Sequence, residues 1–228
     1  MPVQRCRWIG HRLAQAARRT VRLGFDIVEL HCAHGYLLHE FLSPIANRRV
    51  DEYGGSFTNR TRLPLAIVRA VRETLPPAIP LGMRVSATDW VDGGWDPAQT
   101  VEFVRAARAL GLDFVCASSG GIVAGVTVPV APGYQVQFAE RIRRETSVTT
   151  RAVGLITDPT QAERYVTGGQ ADLIALARGF LHDPRWGWHA ADRLGATAHS
   201  AQPYHLARSA GWRKFRDQIA ADAPNVIR

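Results

Sequence analysis

The chain has 228 residues, of which 46% are hydrophobic and 21% charged, and a formal net charge of +8. That length can bury a sizeable core in one domain, and the composition is that of a folded chain rather than a disordered one. No run reaches the ~20 apolar residues that a spanning helix needs, which argues against membrane insertion. The cations are nearly all arginine, with Lys214 a rare exception, and no basic run alternates with aromatics. This is not a nucleic-acid footprint, although the charge suits an anionic cofactor or substrate. Cys6, Cys32 and Cys116 have neither metal-ligand nor disulfide-framework spacing, so a reducing, cytoplasmic setting is expected.

The first 25 residues are rich in Arg and free of acids, a superficial likeness to a transit peptide. However, Ile9, Leu13, Ala16, Ala17 and Val21 recur at helical spacing, and Leu23-Gly24 stops the pattern, so a packed helix is the expectation. A short apolar run, Phe25 to Leu30, then reads as a strand ending at His31. Residues 43 to 62 are polar and turn-rich, which predicts a long loop. Leu63 to Leu75 is helical in pattern and stops at Pro76-Pro77.

The alternation then repeats. Strands are predicted at Leu81 to Ser86, Phe114 to Ala117, Thr149 to Val153 and Ala171 to Leu176. Helices are predicted at Pro97 to Leu110, Phe138 to Glu145 and Pro159 to Val166. Repeated βα units imply an α/β fold with a parallel sheet, and chemistry then gathers at the C-terminal strand ends. His31 and His34, Arg84 and Ser86, Ser118 and Ser119, Gly154 and Arg178 all fall there. A dinucleotide fold would need a glycine fingerprint at its first βα turn, and none is present.

His31-Cys32-Ala33-His34-Gly35-Tyr36 places two imidazoles and a phenol just past a strand end. Imidazole can polarise a carbonyl oxygen by donating to it, and a tyrosine hydroxyl can deliver a proton to carbon. A metal site is less well supported, because no carboxylate or thiolate completes the set at usual spacing. A phosphate-binding barrel lyase or aldolase is a further alternative, opposed by the lack of a strand-end lysine. Trp90, Trp95, Trp186 and Trp188 fit either a substrate channel or a core, the core being the commoner place for aromatics.

The run from His31 to Leu37, with Phe41-Leu42-Ser43-Pro44, Asn47, Arg49, Asp51, Tyr53-Gly54-Gly55-Ser56 and Asn59-Arg60, resembles the signature of the Old Yellow Enzyme family. The paired histidines are similar to its bacterial branch of xenobiotic reductases and thermophilic-like ene-reductases. The likeness continues through Arg84-Val85-Ser86, Ser118-Ser119-Gly120, Pro132-Gly133-Tyr134-Gln135, Val153-Gly154 and Ala171-Asp172-Leu173 to Arg178. It implies FMN as cofactor, NADPH or NADH as hydride donor, and an α,β-unsaturated carbonyl compound, a small-molecule enone, as substrate. It further implies that His31 and His34 hold the carbonyl oxygen and that Tyr36 protonates the α-carbon. Arg84 would face the pyrimidine edge of the flavin, Val153 would also bind the cofactor, and Gly154, Ala177 and Arg178 would hold its phosphate. Many relatives have Gly at the position of Ala177.

The resemblance implies a partial TIM (β/α)8 barrel of about five βα units, equivalent to strands 4–8. Residues 1–196 would form the C-terminal part of the flavin-binding barrel and 197–228 a tail. In the tail, Pro203-Tyr204-His205-Leu206-Ala207-Arg208 with Trp212 is similar to a segment that lends an arginine to a neighbouring subunit. A complete barrel takes ~250 residues or more, and family members begin with three further βα units. A homo-oligomer or a complementing N-terminal half-barrel is therefore the expected partner. The alternative function is a truncated, non-catalytic or partner-dependent half-barrel.

Overall fold

The computed structural model describes residues 2–198, and these fall into two compact units. Among the described residues the first comprises 2–156 and 164–176, the second 157–163 and 177–198. In chain order the elements are α1 (Val3–Arg22), β1 (Val28–Cys32), α2 (Leu37–Leu42), α3 (Phe57–Thr74), β2 (Leu81–Ser86), α4 (Pro97–Ala109) and β3 (Phe114–Ser118). Then come α5 (Val136–Thr146), β4 (Thr149–Val153), α6 (Pro159–Thr167), β5 (Leu173–Ala175), α7 (Arg178–His182) and α8 (Trp186–Leu194).

The five strands form one parallel sheet in sequence order, β1-β2-β3-β4-β5. Side chains alternate across a strand, and register partners in a parallel pair share a face. One face carries Val28, Leu30, Cys32, Leu81, Met83, Val85, Val115, Ala117 and Ala152, all buried. Leu63, Ile67, Val68 and Val71 of α3, Val101 and Val104 of α4, and Ala139 and Ile142 of α5 are buried in the same core. Fully burying one such Val, Leu or Ile is worth ~1.5–3 kcal/mol, so this core is the main support of the unit. The predicted N-terminal helix is present as α1, which packs on α3 with Ala14 and Ala17 buried.

The other face is polar and layered. His31, Arg84, Cys116 and Arg151 stand in one register row across four strands. Below them lie Glu29, Gly82, Phe114 and Thr149. Phe114 lies directly over Gly82, whose Cβ would fall 2.0 Å from the ring, and Arg151 spans that ring to pair with Glu29. The strand starts are stapled by a repeated device. Asp113 accepts the Leu81 N–H at 2.7 Å and pairs with Arg72, while Asp172 accepts the Thr150 N–H at 2.8 Å and pairs with Arg143.

The loop predicted over residues 43 to 62 is shorter than expected, because α3 begins at Phe57. Ser56 caps the helix by accepting the Asn59 N–H. Its first turns are anchored by polar contacts that leave little apolar periodicity in the sequence. Buried Arg60 donates to the Leu42 carbonyl and to Gln99, and Phe57 stacks on Trp95 at 5.9 Å. Asn47 ties the loop by donating to the carbonyls of Phe41 and Tyr53, both at 2.7 Å. The short helices α2 and α7 were not expected, six and five residues being too few for a clear helical period, and neither was α8.

In the second unit, Trp186 donates from its indole nitrogen to the Thr157 carbonyl at 2.7 Å, and Phe180 packs edge-on against it. Among the described residues no helix is long and apolar enough to cross a membrane. Arg208 and Trp212, with the rest of the predicted tail motif, lie outside the described residues.

Candidate active site

The C-terminal ends of β1, β2 and β3 bring the sequence-predicted cluster together. His31 is the penultimate residue of β1 and projects from the polar face, exposed between two buried neighbours. Its ring lies 5.3 Å from that of His34, edge-on, and 5.0 Å from that of Tyr36. Tyr36 is 63% exposed at the N-terminus of α2, and its side chain makes no capping bond. Three polar rings therefore sit in contact at one rim.

The turn that carries them is unusual in backbone. His34 adopts φ +60° and Gly35 φ +76°, two left-handed residues in succession. A histidine in that region is uncommon and is tolerated where surrounding contacts hold it. Here the His34 N–H donates to the Ser86 hydroxyl at 3.0 Å, and Ser86 donates on to the Gly120 carbonyl at 2.7 Å. Gly35 and Gly121 approach so closely that a Cβ on Gly35 would fall 2.3 Å from the Gly121 carbonyl oxygen.

The imidazole of His34 is fixed separately. Its Nε2 lies 2.7 Å from the Ser118 hydroxyl at the end of β3. Behind it, buried Gln135 accepts from Ser119 at 2.5 Å and donates to the Val153 carbonyl at 3.1 Å. Burial holds the His34 pKa down to about 4, with help from the Arg84 guanidinium, His31 and His39. His31, though exposed on one side, is lowered too, by partial desolvation against the rim first and by Arg84 next. Both rings are therefore neutral donor–acceptors rather than cations near neutral pH.

Arg84 stands beside His31 in the sheet register. Its buried Nε has no hydrogen-bond partner among the described residues. A buried guanidinium N–H without an acceptor is costly, and an anionic or carbonyl-bearing ligand would supply one. Gly154, just past β4, has φ +128°, and a Cβ there would crowd Gln135 and Tyr134 at 3.0–3.1 Å. Ala177 has φ −115°, so the alanine here sits on ordinary backbone and needs no left-handed conformation. Arg178 opens α7 in the second unit.

Trp95 is 1% exposed and belongs to the core, where its indole nitrogen donates to Thr100 at 2.6 Å. Trp90 has φ +62° and packs edge-on against Phe138. At the opposite end of the sheet, a cavity of about 270 Å³ is lined by Arg143, Ser147, Val148, Thr149 and Asp172. It surrounds the Arg143–Asp172 strand staple and lies away from the histidine rim.

The sequence motifs did not single out His39, Asp89 or Gln135 as parts of this site. His39 and Asp89 are fully or almost fully buried and hydrogen-bond each other at 2.9 Å, fifty positions apart in sequence. Nothing local signals such a pair.

Comparison with known proteins adds the lineage. The profile of the NADH:flavin oxidoreductase / NADH oxidase family matches residues 9–196. An NADPH dehydrogenase of Geobacillus sp. is 47% identical over 197 residues, which is 86% of this chain and 56% of that protein. The NADPH dehydrogenase of Bacillus subtilis is 46% identical over 180 residues, 79% of this chain and 52% of that protein. The chain thus spans about half the length of the curated relatives it matches. Among solved structures, morphinone reductase in complex with tetrahydroNAD superposes with a TM-score of 0.69 at 28% identity, covering 89% of this chain and 53% of that one. 2-Naphthoyl-CoA reductase with 2-naphthoyl-CoA gives a TM-score of 0.78 at 25% identity, over 86% of this chain and 30% of that one. With the rim residues, the five-stranded parallel sheet and these matches in agreement, the chain belongs to the NADH:flavin oxidoreductase / NADH oxidase family, of the Old Yellow Enzyme type.

Proposed function

We propose that the chain is the catalytic-rim portion of an FMN-dependent NAD(P)H oxidoreductase that reduces the C=C bond of α,β-unsaturated carbonyl compounds. Residues 1–196 are its share of the flavin-binding barrel and 197–228 its tail. The observation that carries this reading is the unpartnered Arg84 Nε beside the neutral His31–His34–Tyr36 cluster. A cation with a free donor, set next to neutral donors, suits an electron-rich ring and a carbonyl substrate on one rim.

Bound FMN would supply the hydride, received from NADPH or NADH. Arg84 would hold the flavin ring edge through its free Nε–H, Val153 would also bind the cofactor, and Gly154, Ala177 and Arg178 would hold its phosphate. His31 and His34 would donate to the substrate oxygen. In the tautomer in which Ser118 donates to His34 Nε2 rather than to Gln135 Oε1, the ring proton sits on Nδ1 and is free for that oxygen. Such a donor is worth ~2.7–4 kcal/mol once negative charge builds on the oxygen. Tyr36 then delivers its hydroxyl proton to the α-carbon, a general-acid contribution of about 10²–10⁴-fold.

A second reading, a non-catalytic or partner-dependent half-barrel, draws on the edge strand β5, where apolar Leu173 is 49% exposed. Titrating the purified chain with FMN and recording its visible spectrum separates the two. A yellow complex that bleaches with NADPH and recovers with an enone supports the first. A chain that stays colourless sinks self-sufficient catalysis and favours the second.

A further inference from the structure

A buried polar relay lies behind the His34–Gly35–Tyr36 turn. The Gly35 N–H donates to His39 Nδ1 at 3.0 Å. A nitrogen that accepts is bare, so the proton of this ring sits on Nε2, which donates to Asp89 Oδ1 at 2.9 Å. The other Asp89 oxygen accepts from the Ser43 hydroxyl at 2.6 Å and from the Trp95 N–H at 2.8 Å. The Asp89 N–H donates in turn to the Trp95 carbonyl at 2.8 Å. His39 is 0% exposed and Asp89 1%. Every proton in this chain of bonds has one place to go.

We propose that His39 and Asp89 are positioning residues for the substrate-binding turn: the Asp89–His39 relay grips the Gly35 amide and so sets where His34 and Tyr36 project. Gly35 lies between those two residues and is itself left-handed, so its amide direction orients both side chains. A carboxylate that fixes the tautomer of a second histidine, which in turn fixes a backbone amide, is a rigid support built from fully satisfied buried groups. The Trp95 N–H and Ser43 lock the carboxylate rotamer, tying the turn to the β2–α4 loop and to the end of α2. The proposal deepens the ene-reductase reading and rests on it for what the turn is for.

The test uses the full chain, ¹⁵N-labelled, without FMN. The wild type should show His39 as its Nε2–H tautomer, with a through-hydrogen-bond coupling between the Gly35 amide nitrogen and Nδ1. An Nδ1–H tautomer overturns the proposal. His39→Asn retains an acceptor near the Nδ1 position, whereas His39→Phe fills the space without one. Gly35 amide exchange should accelerate at least about tenfold in His39→Phe, with loss of the ring contacts between His31 and Tyr36. In His39→Asn both should return towards wild type, while exchange at Val115 in β3 stays unchanged throughout. Equal Gly35 exchange in wild type and His39→Phe overturns the proposal. Should His39→Phe fail to fold, the wild-type tautomer and coupling decide the matter. Failure to bind FMN would sink the functional reading and leave these readouts standing, so the two failures are distinct.

Discussion

His34 Nε2 and the Ser118 hydroxyl oxygen lie 2.7 Å apart, joining the turn after β1 to the end of β3. This contact fixes the ring of the one imidazole in the cluster that also sits on left-handed backbone. Ser118→Ala removes the partner and frees the ring. The expected result is a fall of about tenfold in kcat/KM for an enone, with FMN affinity unchanged. Steady-state kinetics and a flavin titration check it.

The depressed pKa of His34 gives a pH dependence with a defined sign. The unfolded chain takes up its proton near the ordinary value of 6.5, the native chain only near about 4. Between those values the unfolded state binds more protons, so this group's contribution is fully present above pH 6.5 and is lost as pH falls towards 4. The ring is only partly buried, so screening trims the effect to on the order of 1–3 kcal/mol. Denaturant unfolding at pH 7 and at pH 4.5 should differ in this direction, and His34→Gln should flatten the difference. NMR should show His34 without a titration step between pH 5 and 8.

Tyr36 separates chemistry from stability. Its side chain is largely exposed and caps nothing, so Tyr36→Phe should change unfolding free energy by less than about 0.5 kcal/mol. Its rate of substrate reduction should fall by about 10²-fold or more. A matched loss of stability and rate would mean that the hydroxyl is structural.

Gly35→Ala tests the turn itself. A Cβ would meet the Gly121 carbonyl oxygen at 2.3 Å, on a backbone with φ +76°. The predicted cost is on the order of 2–4 kcal/mol, measured by thermal or denaturant unfolding. Gly55→Ala, also left-handed at φ +77° but with open space around it, should cost less.

Much of this was legible because the apolar periods are clean. Four strand–helix alternations follow from short apolar runs bounded by Gly and Pro, and their parallel order from the alternation itself. The extent of β1 was not legible, since Phe25 and Ile27 are apolar yet exposed and the strand starts only at Val28. The start of α3 was hidden because Arg60 and Thr61 are buried by hydrogen bonds rather than by apolar packing. At the site, His31, His34 and Tyr36 were readable from one hexapeptide. Ser118 was placed at a strand end and Gln135 within a family-like motif, but their contacts with the turn were not legible; His39 and Asp89, from α2 and the β2–α4 loop, were missed because only the folded chain brings them together.

The decisive measurement is reoxidation of the reduced, FMN-loaded chain by cyclohex-2-enone, followed anaerobically at the flavin absorbance. The wild-type chain should bind FMN, bleach with NADPH and regain colour with the enone. Tyr36→Phe should bleach alike but regain colour about 10²-fold more slowly or worse. A chain that takes up no FMN, or a Tyr36→Phe variant that recovers as fast as wild type, would contradict the proposed function.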